Sequence, residues 1–200
     1  CFFFIYNTDN YYHFIYDTLP YLITYFKLKR EKPNMKLLMQ YPNPQKKEMY
    51  RFVMEFLDIL DITGDDIIIA NERTIYDNIY ISTSYTHDIN LNLPPRKEIY
   101  EFYKRLVDIV RRKTEKMITP KKIYISRRTW LHNDFSNIGT NYTTRRRLVN
   151  EDELVEKLKE EGYTEVFAEK LTTIEKIQHF SNATHIVGAI GGGISNVLFS

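Results

Sequence analysis

The stretch Thr184-His-Ile-Val-Gly-Ala-Ile-Gly-Gly-Gly-Ile-Ser-Asn-Val-Leu198 decides the fold. A short apolar strand, His185 to Val187, runs into Gly188 and then into Gly191, Gly192 and Gly193. An apolar run opening with Ser195 and Asn196 comes next. Bare backbone lets a ligand come close, and the N–H groups that open a helix favour anions. A strand, a glycine turn and a helix start are thus the makings of a phosphate site. Three of the seven glycines sit at 191–193, so the need for bare backbone is local.

Reading upstream, Thr172-x-x-Glu175 caps a helix with Ile174, Ile177 and Phe180 inward. Thr164 to Phe167 is a strand. Asn150-Glu151-Asp-Glu153 has the form of a capping box, with Asn150 as N-cap and Glu153 at the third helical position. Leu154, Val155 and Leu158 form that helix's apolar stripe, and Gly162 closes it. Lys122 to Ser126 is a further strand, succeeded by a polar loop to about 148. Strand, helix, strand, helix, strand is the core of a doubly wound sheet.

The first half alternates in the same way, which argues for α/β layers. Phe2 to Tyr6, Lys36 to Met39, Ile67 to Ala70 and Ile75 to Ser82 read as strands. Residues 10–30 read as an aromatic-rich helix with Pro20 as a kink or break. Residues 45–60 form a helix with Phe52, Phe56, Leu57 and Leu60 on one face. Residues 95–117 form a long helix with Ile99, Phe102, Tyr103, Leu106, Val107 and Val110 at helical spacing. Thr119-Pro120 marks a boundary between an N-terminal α/β half, 1–118, and a C-terminal half, 119–200.

Composition excludes more than it selects. Two hundred residues, 43% hydrophobic, bury a real core. A net charge of +2 gives no global field for nucleic acid. The single Cys1 rules out an internal disulfide, and no apolar run reaches membrane-spanning length. The chain starts in a buried strand without Met and stops inside an apolar element, which predicts a fragment of a longer protein.

Three groups of residues carry chemistry. Arg127 and Arg128 come directly after the strand 122–126, and ligands gather at the carboxyl ends of strands in open α/β sheets. The planar guanidinium fork suits phosphate or carboxylate; the alternative is a surface ion pair. Arg145, Arg146 and Arg147 precede the capped helix, where a cation opposes the dipole unless an anion lies between. The alternative there is a solvated basic loop. In Asn10-Tyr-Tyr-His13-Phe-Ile-Tyr-Asp17-Thr-Leu-Pro20, His13 and Asp17 are four apart and share a helical face. A carboxylate beside an imidazole raises its basicity and makes a general base; the alternative is local capping. His87, His132 and His179 read as isolated, and no histidine has metal-ligand spacing, so no metal is expected.

In order along the chain, several pieces resemble glycosyltransferase family 61, which includes plant xylosyl- and arabinosyltransferases and animal O-linked N-acetylglucosaminyltransferases. They are Asn10-Tyr-Tyr-His13-Phe-x-x-Asp17-x-Leu-Pro20, Tyr124-Ile-Ser126-Arg127, Arg146/Arg147 with Asn150-Glu151-Asp-Glu-Leu154, Glu169-x-Leu171-Thr-x-x-Glu175-x-Ile177, and Gly188-Ala-x-Gly191-x-x-x-Ser195-Asn196. The resemblance implies a GT-B-like α/β fold of two Rossmann-like halves facing a cleft, with the C-terminal one truncated here. It implies an inverting transferase that moves a sugar from a nucleotide-sugar donor, commonly a UDP-sugar, to a glycan or protein hydroxyl without a bound metal. The donor is expected on the C-terminal half, against Arg127, Arg128, Arg146, Arg147, Asn150, Glu151, Gly191, Gly192, Gly193, Ser195 and Asn196. His13 or Asp17 is the expected base. The family often carries histidine where this chain has Ile190, so a donor contact made by that histidine is absent. The competing reading is a non-catalytic nucleotide- or phosphate-binding module. Nucleic-acid binding through Arg145 to Arg147 is disfavoured by the balanced charge.

Overall fold

The computed structural model describes residues 1–43, 45–71, 73–87, 93–131 and 147–200. It is an α/β protein with two small, wholly parallel sheets. The chain forms two compact units, Cys1–Phe102 and Tyr103–Ser200.

In the first unit, β1 (Phe2–Phe3), β2 (Leu37–Met39) and β3 (Ile67–Ile69) pair in the order β1-β2-β3. Between β1 and β2 the chain is helical almost throughout. It passes from α1 (Tyr11–His13) through a π turn (Phe14–Thr18) and a 3-10 turn (Leu19–Tyr21) into α2 (Leu22–Glu31). Pro20 therefore does not break the helix. Its ring would clash with a carbonyl one α-turn back, and it has no N–H to donate. The wider π turn absorbs both problems, with the Leu19 N–H reaching back to Phe14 O. The core beneath is aromatic. Phe14 is fully buried among Phe4, Phe52 and Phe56, with ring centroids 5.5–6.5 Å away. Phe52 and Phe56 come from α3 (Arg51–Ile59), whose buried face also carries Leu57, as the periodicity predicts.

The segment 75–82, expected as a strand, forms no strand. Only Tyr80 pairs, exchanging backbone bonds with Cys1 and Phe3. Ile75, Ile79 and Ile81 are exposed, so their β-branched side chains have no sheet face to pack on.

The long helix α4 (Lys97–Lys113) buries Ile99, Phe102, Tyr103, Leu106, Val107 and Val110, all six residues of the predicted stripe. The units divide inside α4, upstream of the expected boundary at 118–121. The reason is that the second half of α4 and the residue after it pack with later parts of the chain: Tyr103 meets Phe199 edge-on, and Gln178 donates to Thr114 Oγ1 just past the helix end.

In the second unit, β4 (Lys122–Ile125), β5 (Thr164–Val166) and β6 (His185–Gly188) pair in the order β5-β4-β6. The chain leaves β4, crosses through α5 (Glu151–Glu160) to β5 on one side, then crosses back through α6 (Thr173–Asn182) to β6 on the other. The carboxyl ends of β4 and β6 therefore lie side by side where the winding reverses, the usual ligand position in such sheets. Gly162, at φ +80°, ends α5, and Thr172 with Glu175 forms the predicted capping box of α6. The box expected at Asn150 and Glu153 does not form. Asn150 is the N-cap, but ψ 35° turns its side chain out of capping geometry.

Candidate functional site

Two places gather chemistry, one in each unit. In the second unit the focus is a carboxylate whose burial no local pattern signals. Glu151 opens α5 and is 1% exposed. Its Oε1 accepts from the Tyr124 hydroxyl at 2.8 Å, the Ser126 hydroxyl at 3.3 Å and the Arg127 backbone N–H at 2.6 Å. One carboxylate oxygen thus ties the first turn of α5 to the carboxyl end of β4. Its Oε2 is buried and meets no partner among the described residues. Burial, then the hydrogen bond to Glu151 and its charge, push the Tyr124 phenol far above its ordinary value. Tyr124 therefore stays a donor, which is what a buried carboxylate needs.

The adjacent arginines go opposite ways. Arg128 turns to α5 and β5. Its Nε and Nη2 donate to the two oxygens of Glu165 at 2.8 and 2.5 Å, and Nη1 donates to Asp152 at 2.7 Å. Burial pushes the Glu165 carboxyl up, but the bonds from Arg128 and Ser126 and the Arg128 charge outweigh it, and the net shift is downward. Arg127 turns to β6. Its Nη1 donates to the Ile190 carbonyl at 3.1 Å, at the mouth of the glycine turn.

Gly188, Gly191 and Gly193 are needed for room and not for unusual torsion angles, since none of them has positive φ. A Cβ on Gly191 would lie 2.1 Å from Arg127 Nη1. On Gly188 it would lie 3.0 Å from Ile125 Cβ and Ile194 Cδ1, and on Gly193 2.9 Å from Ile125 Cγ2. Gly191 therefore clears space for the Arg127 fork, while Gly188 and Gly193 let the chain pass over Ile125. After the turn comes a six-residue 3-10 helix, Ile194–Phe199, in place of the expected helix start. The Ser195 hydroxyl donates to Gly192 O at 2.5 Å, and the Asn196 amide donates to Gly193 O at 2.8 Å. Both side chains thus hold the turn in shape.

Gly193→Ala tests the packing account. Ile125 and Ala168, the two nearest neighbours, are both buried and cannot move aside. We expect a loss of about 1–3 kcal/mol in urea unfolding. Wild-type stability would mean that the turn has slack.

The structure thus brings together Arg127, Glu151, Gly191, Gly192, Gly193, Ser195 and Asn196. Arg147 and Asn150 are exposed just ahead of α5. Arg145, Arg146 and His132 lie outside the described residues.

In the first unit, the Asn10 side chain accepts from the His13 N–H at 3.1 Å and starts the helix. His13 Nδ1 lies 2.7 Å from Asp17 Oδ2. A carboxylate only accepts, so Nδ1 donates this bond, and in the neutral form of the imidazole the lone pair lies on Nε2. Of the aromatics of 2–26, Phe2, Phe4, Tyr11, Phe14 and Tyr25 are core, while Tyr12 and Tyr16 are not. They stack, 5.6 Å apart and nearly parallel, with Tyr12 edge-on to His13. Burial first, and then charges including Asp17, raise both phenols above their ordinary value, so they are neutral hydroxyls around the carboxylate. His87 is not isolated: its Nε2 lies 2.9 Å from Asp17 Oδ1. Sequence reasoning missed it because nothing local links residues 17 and 87. His179 turns Nδ1 to the Glu175 carbonyl of its own helix. Among the described residues no three His, Cys, Asp or Glu side chains are gathered as a cation site, and no helix is long and apolar enough to cross a membrane.

An α/β chain with arginine and a glycine turn at adjacent strand ends, and a histidine–carboxylate pair in its other unit, has the parts for group transfer. The family model for glycosyltransferase 61 matches residues 11–200, and the chain belongs to that family. Membership implies glycosyl transfer between a donor and an acceptor. No curated protein and no solved structure matches it.

Proposed function

We propose that this protein is an inverting glycosyltransferase with a GT-B-like division of labour, in which the second unit binds a nucleotide-sugar donor and the first unit supplies the base. A UDP-sugar is the favoured donor, and a glycan or protein hydroxyl the acceptor. The observation that carries the reading is the Arg127–Ile190 bond, which puts a guanidinium on the glycine turn beside the switch of the sheet. In the reaction the acceptor oxygen attacks the anomeric carbon, and the bond from that carbon to the diphosphate oxygen breaks. The acceptor proton passes to His13 Nε2, and the leaving diphosphate keeps the electron pair. Arg127 and backbone N–H groups of the turn offset its charge, with no reorganisation at the moment of transfer. Arg128, held by Glu165 and Asp152, fixes the frame around Arg127. The position of Ile190 contributes through its carbonyl, while its side chain is 83% exposed.

The test is donor binding. A nucleotide sugar at a hundred times its dissociation constant should stabilise the protein by about 2.7 kcal/mol. Arg127→Ala should weaken that donor by roughly tenfold or more, because it removes a charge-assisted bond, while the unfolding midpoint without donor changes little. Equal affinity in the variant would remove the second unit from the donor site. Binding without any transfer would favour the non-catalytic module.

A further inference from the structure

We infer that His87 is a third member of the first-unit site, a positioning residue that clamps Asp17 from the side opposite His13. This role rests on the proposed role of His13 as base and deepens it. Asp17 is shared: Oδ2 faces His13 Nδ1 at 2.7 Å, and Oδ1 faces His87 Nε2 at 2.9 Å. The second contact is close but not aligned as a full hydrogen bond, since Oδ1 is buried with no bond of that geometry. The imidazole that would align with it is itself 59% exposed.

The loop that delivers His87 is built and not incidental. The Ser84 hydroxyl accepts the N–H groups of Thr86 and His87, at 3.3 and 3.0 Å. Tyr85 is buried, and its hydroxyl pairs with Thr24 Oγ1 on α2 at 2.9 Å. Ser82 Oγ meets the same Thr24 oxygen at 2.7 Å. Arg96 lies over the Tyr85 ring, and its N–H donates to the Tyr85 carbonyl. The loop is therefore stapled to α2, into which the segment carrying His13 and Asp17 continues. The Tyr16 ring then meets His87 edge-on at 6.0 Å and limits its swing.

Asp17 itself is specially placed. It sits in the π turn, a form that recurs at functional sites because it re-aims side chains. A carboxylate that orients a base works only in one rotamer, with one oxygen on the imidazole N–H. His13 alone leaves Asp17 able to rotate about its side-chain bonds. A donor on the second oxygen removes that freedom. The Asp17 charge also helps to raise the phenols of Tyr12, Tyr16 and Tyr21, and all three are neutral donors.

The geometry dictates the variants. His87 reaches Asp17 through Nε2, and the glutamine amide nitrogen occupies nearly the same point. His87→Gln should keep the clamp, and His87→Ala should lose it. The first readout needs no activity. The Nδ1 proton of His13 should give a slowly exchanging downfield NMR signal in the wild-type chain and in His87→Gln, and lose it to exchange in His87→Ala. The second readout is turnover: His87→Ala should lower kcat by roughly tenfold with the donor KM unchanged, and His87→Gln should recover most of it. Survival of the proton signal in His87→Ala overturns the clamp, whatever the kinetics. If the signal behaves as expected while His13→Ala keeps normal turnover, the clamp stands and the base assignment falls.

Discussion

His13→Ala and Asp17→Asn are each expected to lower turnover by roughly a hundredfold or more while donor binding survives. General-base catalysis contributes about that much, and neither residue lies in the unit proposed to bind the donor. The two variants should differ in kind. His13→Ala removes the proton acceptor itself. Asp17→Asn keeps the shape but presents an amide where a carboxylate held the Nδ1 proton, so the imidazole turns or changes tautomer and Nε2 loses its lone pair toward the acceptor. Imidazole or another small base in the buffer can rescue the first and not the second. The measurement is steady-state transfer with donor affinity determined separately. Near-normal turnover in both variants would make the pair a brace for the turn before Pro20 and send the search for the base elsewhere.

Glu151→Ala should cost about 3 kcal/mol of stability, the largest single loss we expect outside the apolar core. The substitution takes the shared buried acceptor from the Tyr124 hydroxyl and the Arg127 N–H, while the Ser126 hydroxyl keeps Glu165 as its other partner. Bonds to a charged acceptor are worth more than neutral ones, and stranded donors add their own desolvation. In urea unfolding the midpoint should fall by about 1–2 M. Glu151→Gln should be milder, at about 1 kcal/mol, since it keeps an acceptor oxygen for the same donors. The effect should extend to ligand binding, because Glu151 holds the backbone of Arg127. A Glu151→Ala variant within about 1 kcal/mol of wild type would mean that the first turn of α5 is held by something else.

The second unit was the more legible from sequence. Its strands, the Gly162 stop and the Thr172 box obey local rules, and each formed. Local rules also misled at one point. Asn150-x-x-Glu153 has the letters of a capping box, but Glu151 competes for the same turn and is drawn into the interior by three donors. That burial was not readable, because the donors stand 24 to 27 residues earlier in the chain, on and just after β4. The glycine turn was read correctly as a place that needs bare backbone, yet for Gly188 and Gly193 the reason is crowding against Ile125. In the first unit, His13 and Asp17 could be paired by spacing alone, whereas His87 joins them only through a tertiary contact. The segment 75–82 failed as a strand because propensity does not supply a neighbour to pair with.

The π turn at Phe14–Thr18 is an ordinary helix carrying one residue in excess, and each residue advances a helix by about 100°. The wider turn absorbs that residue locally and so sets where Asp17, within it, stands. Loss of one residue there would restore a regular helix and take Asp17 out of the place that the wider turn gives it, away from the loop stapled to Thr24. Chain length here is therefore part of the site's geometry. Among related chains, the count of residues between His13 and Pro20 should be fixed even where the residues themselves drift.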